Sequence, residues 1–150
     1  MKRLLVGIDG SSHAWAALDL AVIYAKALDA ELLAVHVVPG KGAVEHSGQV
    51  AKIVSGSNDD KSSAGRDTAQ FDDKIVAQTK RILEDGGVKA FKILIFAGDP
   101  AERIVYAAND HHVQLIFVGH RGLDAVEHSP MGSVTNKVAN MARCTCVIVK

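Results

Sequence analysis

AFKILIFAGDPAERIVYAA, residues 90–108, decides the fold. Ala90 to Ala97 is apolar at nearly every position, so the strand it predicts must be covered on both faces. Gly98 then turns the chain, Asp99 offers a helix N-cap, Pro100 suits the first helical position, and Glu102 completes a helix-start signal. Ile104, Val105 and Ala108 supply the apolar stripe of the helix that follows. A doubly covered strand running into a capped helix is the repeating unit of a parallel sheet with right-handed crossovers.

The same alternation extends in both directions. Upstream, Leu4 to Ile8 is a compact apolar run closed by Asp9-Gly10-Ser11-Ser12, a turn followed by an N-cap signal. Ala14, Leu18, Ala21, Val22, Ala25 and Leu28 then recur at helical spacing, and Glu31 to Val38 (ELLAVHVV) forms a second strand closed by Pro39-Gly40. Residues 39–66 interrupt the rhythm with Gly40, Gly42, Gly48, Gly56 and Gly65 and read as a flexible loop insertion. A helix over 67–85 carries Phe71, Ile75, Val76, Thr79, Ile82 and Leu83 and stops at Gly86-Gly87. Downstream, the pattern predicts a fourth strand over 113–118, a last helix over 131–142 and a fifth strand over 145–149. The expectation is one α/β domain over residues 1–150, with helices on both faces of an open parallel sheet.

Composition narrows the function classes. The 150 residues are 48% hydrophobic and 23% charged, an ordinary globular balance. Seventeen basic residues offset seventeen acidic ones, with no basic stripe for nucleic acid. No apolar run approaches the roughly 18 residues of a membrane span. Met1-Lys2-Arg3 opens like a signal peptide, but Asp9 interrupts the apolar stretch, so the segment reads as the first strand. Cys144 and Cys146 lie two apart on one strand face, which suits buried, reduced thiols and a cytoplasmic location rather than a metal site.

In an open parallel sheet, ligands sit beyond the C-terminal ends of the strands, where the winding reverses. Two predicted strand ends carry unusual residues. The first ends in Asp9-Gly10-Ser11. The fourth ends in Gly119-His120-Arg121-Gly122, and Gly132-Ser133-Val134-Thr135 opens the last helix nine residues later. Gly119 and Gly122 would let the backbone approach a ligand, and Gly132 and Ser133 would present free amides at a helix N-terminus. The Ser133 and Thr135 hydroxyls could donate to phosphate, and Arg121 would add charge. Each glycine alone is ordinary punctuation; at both ends of one loop they read as a triphosphate cradle. Asp9 also suits an Asx-turn. His36 reads as a hydrogen-bonded core histidine, His120 and His128 as loop residues, and Trp15 as helix packing.

The spacing Gly-x2-Gly-x9-Gly-Ser from Gly119 to Ser133 resembles the ATP-binding signature of the universal stress proteins. The likeness runs along nearly the whole chain, through LLVGIDGS at the start, HVV in the second strand, GDP before the third helix and GSVTNKVANMARCTCVIVK at the close. That resemblance implies a five-stranded sheet of order 3-2-1-4-5, in the Rossmann-type group of adenine-nucleotide hydrolase-like folds. It implies ATP, with Mg²⁺ bridging its phosphate oxygens. Asp9 would lie beside ribose and adenine, and the Val37 backbone would meet adenine. Val118, Gly119, Gly122, Gly132, Ser133, Val134 and Thr135 would line ribose and phosphates. It further implies a homodimer formed through the last strand, and a regulatory module with at most slow ATP hydrolysis. The segment 39–66 and the Cys144/Cys146 pair depart from the family pattern.

Two other readings stand beside it. A nucleotide-hydrolysing or nucleotidyl-transfer enzyme of the related α/β class would need a richer loop than Asp9-Gly10-Ser11-Ser12. A phosphoacceptor receiver domain would need more than one carboxylate after the first strand, and Asp99 is committed to a helix cap. GxxxxGK[ST] is absent, which excludes a P-loop ATPase.

Overall fold

Along the buried strands, alternate residues enter two separate cores. Leu4, Val6 and Ile8 pack with Leu32, Ala34 and Ile93 on one face, while Leu5, Leu33, Val35, Leu94 and Phe96 pack on the other. This placement follows from the two-residue period of a strand and explains why the runs are apolar throughout. The computed structural model describes residues 1–38, 50–55, 70–123 and 130–150, with 50–55, 70 and 71 as backbone. In chain order these form β1 (Arg3–Ile8), α1 (Ser12–Leu28), β2 (Glu31–Val38), β3 (Val50–Ser55) and α2 (Gln70–Asp85). They continue as β4 (Phe91–Ala97), α3 (Pro100–Asp110), β5 (Leu115–Gly119), α4 (Ser133–Met141) and β6 (Thr145–Val149).

The sheet order is β3-β4-β2-β1-β5-β6. Its five parallel strands, β4-β2-β1-β5-β6, stand in the expected order 3-2-1-4-5. Buried residues of α1 and α2 line one core, and those of α3 and α4 the other. From β1 the chain winds outward through β2 to β4, then returns to lay β5 against the other side of β1. The winding therefore reverses between β1 and β5, and that is where the parallel sheet opens a crevice.

One strand departs from expectation. Val50–Ser55 lies inside the segment read as loop, yet it pairs antiparallel with β4, from Val50 opposite Phe96 to Ser55 opposite Lys92. VAKIVS is a short β-prone run whose backbone groups find partners on the free side of β4, an option that local glycine and serine content conceals. The remainder of that segment, 39–49 and 56–66, lies outside the described residues.

The helix starts follow their sequence signals. Asp99 caps α3 by accepting a hydrogen bond from the Glu102 amide at 3.0 Å, with Pro100 at the first position. Ser11 caps α1 by accepting from the Ala14 amide at 3.2 Å. At α4 the N-cap is Gly132, and no side chain caps the helix. Trp15 packs half-buried against the α1–α2 core, as expected of a packing residue. Cys144 and Cys146 are free and half-buried rather than fully enclosed, and burial pushes both thiols up from their ordinary range.

Candidate functional site at the exits of β1 and β5

Asp9 stands where β1 ends. Its Oδ1 accepts from the Ser11 amide at 2.9 Å, closing an Asx-turn, and its Oδ2 accepts from the Leu123 amide at 3.3 Å. One carboxylate thus ties the exit of β1 to the loop after β5. Ser11 adds a second tie, its hydroxyl donating to the Arg121 carbonyl at 3.5 Å. The loop is fastened further where the Gly132 amide donates to the His120 carbonyl at 2.9 Å and the His120 amide to the Val149 carbonyl at 2.7 Å. Gly119, Arg121 and Gly122 are therefore brought together with Asp9, Gly132 and the start of α4.

The glycines serve this closure themselves. A Cβ on Gly119 would lie 2.7 Å from the His13 carbonyl carbon and Cβ, so its bare face meets α1. A Cβ on Gly122 would lie 2.6 Å from Asp9 Oδ2. Both glycines let the chain approach itself. Gly132 is looser, a Cβ there meeting Arg121 Cα at 3.3 Å.

Thr135 also differs from expectation. It is buried, and its hydroxyl donates to the Gly119 carbonyl at 2.6 Å, so the side chain fastens α4 to the end of β5. Ser133 is exposed in the first turn, and the first amides of α4 point past Gly132 with no intrahelical carbonyl to receive them. The Val118 side chain is buried in the α3–α4 core, and Val134 packs half-buried against it. Val37 follows His36, which pairs with Ile8, and so lies level with Asp9 on the neighbouring strand. His128 lies outside the described residues.

His36 is the core histidine that its strand position predicts. Nδ1 lies 2.8 Å from the Ile8 carbonyl and Nε2 lies 2.6 Å from Asp72 Oδ1. The carbonyl can only accept, so Nδ1 carries a proton. Asp72 comes from α2, and no spacing in the sequence links it to His36. His13 is the other residue that sequence reading passed over: its ring centroid lies 6.3 Å from that of His120. His120 is held below the usual histidine range, first by desolvation and then by the positive charges of Arg121, Lys150 and His13. A hydrogen bond with the Pro130 backbone opposes the shift.

The arrangement can seat an anion: amides at one helix start that no intrahelical carbonyl or capping side chain receives, the loop bearing Arg121 beside them, and a carboxylate already occupied by amides. Among the described residues no group of three or more metal-ligating side chains converges. No helix among them is long and apolar enough to cross a membrane.

The family model described as "Universal stress protein family" matches residues 1–150. The chain belongs to the universal stress protein family. Universal stress protein YxiE of Bacillus subtilis is 33% identical over 149 residues, covering 99% of each chain. Among solved universal stress proteins, UspA from Lactobacillus plantarum aligns with a TM-score of 0.71 at 22% identity, covering 99% of this chain and 97% of its own. Another, solved in complex with cAMP, aligns with a TM-score of 0.70 at 20% identity, covering 99% and 96%. Some universal stress protein structures thus hold an adenine nucleotide.

Proposed function

We propose that this universal stress protein binds ATP, with Mg²⁺ on its phosphate oxygens, in the crevice between the exits of β1 and β5. In this reading it acts as a cytoplasmic regulatory or sensor module with at most slow hydrolysis. The observation that carries the reading is the start of α4. Gly132 leaves its first amides without a side-chain cap, at the switch point of the sheet, beside the loop that bears Arg121. Aligned amides of this kind are stabilised by an anion. A related protein's complex with cAMP supports an adenine nucleotide as the class.

The roles divide as the geometry suggests. Ser133 and the amides of Ser133, Val134 and Thr135 would hold phosphate, with Arg121 adding charge. Asp9 and the backbone at Val37 and Val118 would flank ribose and adenine. Gly119, Gly122 and Thr135 would shape the loop rather than touch the ligand through side chains. Among the described residues no carboxylate or imidazole is paired with a nucleophile in the manner of a turnover site, which fits a binding module. Equilibrium dialysis of the full chain against millimolar ATP and Mg²⁺ should give stoichiometric binding; no binding under those conditions sinks the proposal. Rapid multiple turnover would favour an enzyme of the related α/β class instead.

A further inference from the structure

His13, on the first turn of α1, and His120, in the loop after β5, bring their ring centroids within 6.3 Å of each other, and the charges of Arg121 in the same loop and Lys150 after β6 bear on His120. Arg121, Lys150 and His13 all act on His120 with the same sign. Asp9, the carboxylate at the exit of β1, has its oxygens on the Ser11 and Leu123 amides. The His120 side chain also has a hydrogen bond with the Pro130 backbone. Gathering like charges at one point opposes folding unless something of opposite sign joins them.

The cluster also has a definite position relative to α4. Gly119 lies between His13, against its Cα face, and Thr135, which holds its carbonyl. α1 and α4 approach it from opposite faces of the sheet. A phosphate seated on the α4 amides leaves the α1 side to whatever anionic group follows it in the ligand.

We propose that His13 and His120 form a proton-linked grip on the outer phosphates of a nucleoside polyphosphate, so that ATP is preferred to AMP and is bound with proton uptake. This rests on the nucleotide reading above and adds to it a specificity and a dependence on pH. Imidazole suits the task because its charge changes near neutrality, unlike that of Arg121 or Lys150. Without ligand, desolvation and then neighbouring positive charge favour neutral His120. A polyphosphate reverses the local field and favours the imidazolium.

Calorimetry of the full chain with ATP and with AMP, in excess Mg²⁺ and in buffers of different ionisation enthalpy, tests this. ATP affinity should fall about fivefold to tenfold between about pH 6 and about pH 8, with net proton uptake. His13→Asn with His120→Asn should abolish the uptake and cut the ATP-over-AMP preference by about tenfold. Proton resonances of the histidine rings give a readout without substitution: the titration midpoints of two histidines should rise by about one pH unit with ATP and stay in place with adenosine. ATP binding with unmoved midpoints, or the same pH profile in the double variant, overturns the proton-linked grip and leaves nucleotide binding standing. Binding of no nucleotide overturns both.

Discussion

A Cβ on Gly122 would press on the Asp9 carboxylate 2.6 Å away, the same carboxylate that holds the Ser11 and Leu123 amides. Gly122→Val should therefore do two things. It should remove nucleotide retention and also lower stability by about 1–3 kcal/mol, since an overpacked contact has to be relieved by moving backbone. Urea denaturation measures the second effect; an unchanged midpoint would contradict the contact. Ser133 gives the opposite signature. It is exposed at the N-terminus of α4, so Ser133→Glu should add about 0.3–1 kcal/mol through the helix dipole while setting a resident carboxylate against an incoming phosphate. A rise in thermal midpoint with at least a tenfold loss of ATP affinity is expected; unchanged affinity would move the phosphate elsewhere. At this scale the sequence named residues that the fold gathers around one loop, but not each residue's partner. Gly119, Gly122 and Thr135 were legible as members of the site, yet what faces them is His13, Asp9 and the Gly119 carbonyl, the nearest of these 16 residues away in the chain.

Among the helices, α3 was the most legible, because its start is governed by four adjacent residues. Asp99 is held below its ordinary value of 3.8, chiefly by the Glu102 amide, with Lys137 adding to the effect. Its carboxylate form is the one the fold binds, so its contribution is complete above that ordinary value and is lost as pH falls through the lower folded value. Asp99→Ala should cost about 1 kcal/mol at neutral pH. The gap between wild type and variant should close in acid below about pH 4, which denaturation over a pH series would reveal. A gap that persists there would assign the loss to something other than the charged cap. β3 was the least legible element. Its pairing with β4 is decided by an available sheet edge, and a local window over VAKIVS contains no information about that edge.

For the whole molecule, the parallel core could be read from apolar runs because covering both faces of a strand removes the need for polar residues on either. The edges could not be read so directly. Among the described residues β6 pairs with β5 alone, and its residues are half-open apart from exposed Thr145. We propose that a second copy pairs with this edge, so that sedimentation at micromolar concentration gives the mass of two chains; a single-chain mass throughout would overturn that pairing. The bond from Asp72 through His36 to the Ile8 carbonyl joins α2, β2 and the exit of β1. Losing one partner strands the other in a dry interior, at about 3–5 kcal/mol, whereas replacing both with leucine relieves most of that loss. His36→Leu and Asp72→Leu should thus be harsh singly and mild together in denaturation. For a drifting lineage the two positions behave as one gene-level character: they are kept together or abandoned together, and the single-step intermediates are the forms that quality control would clear.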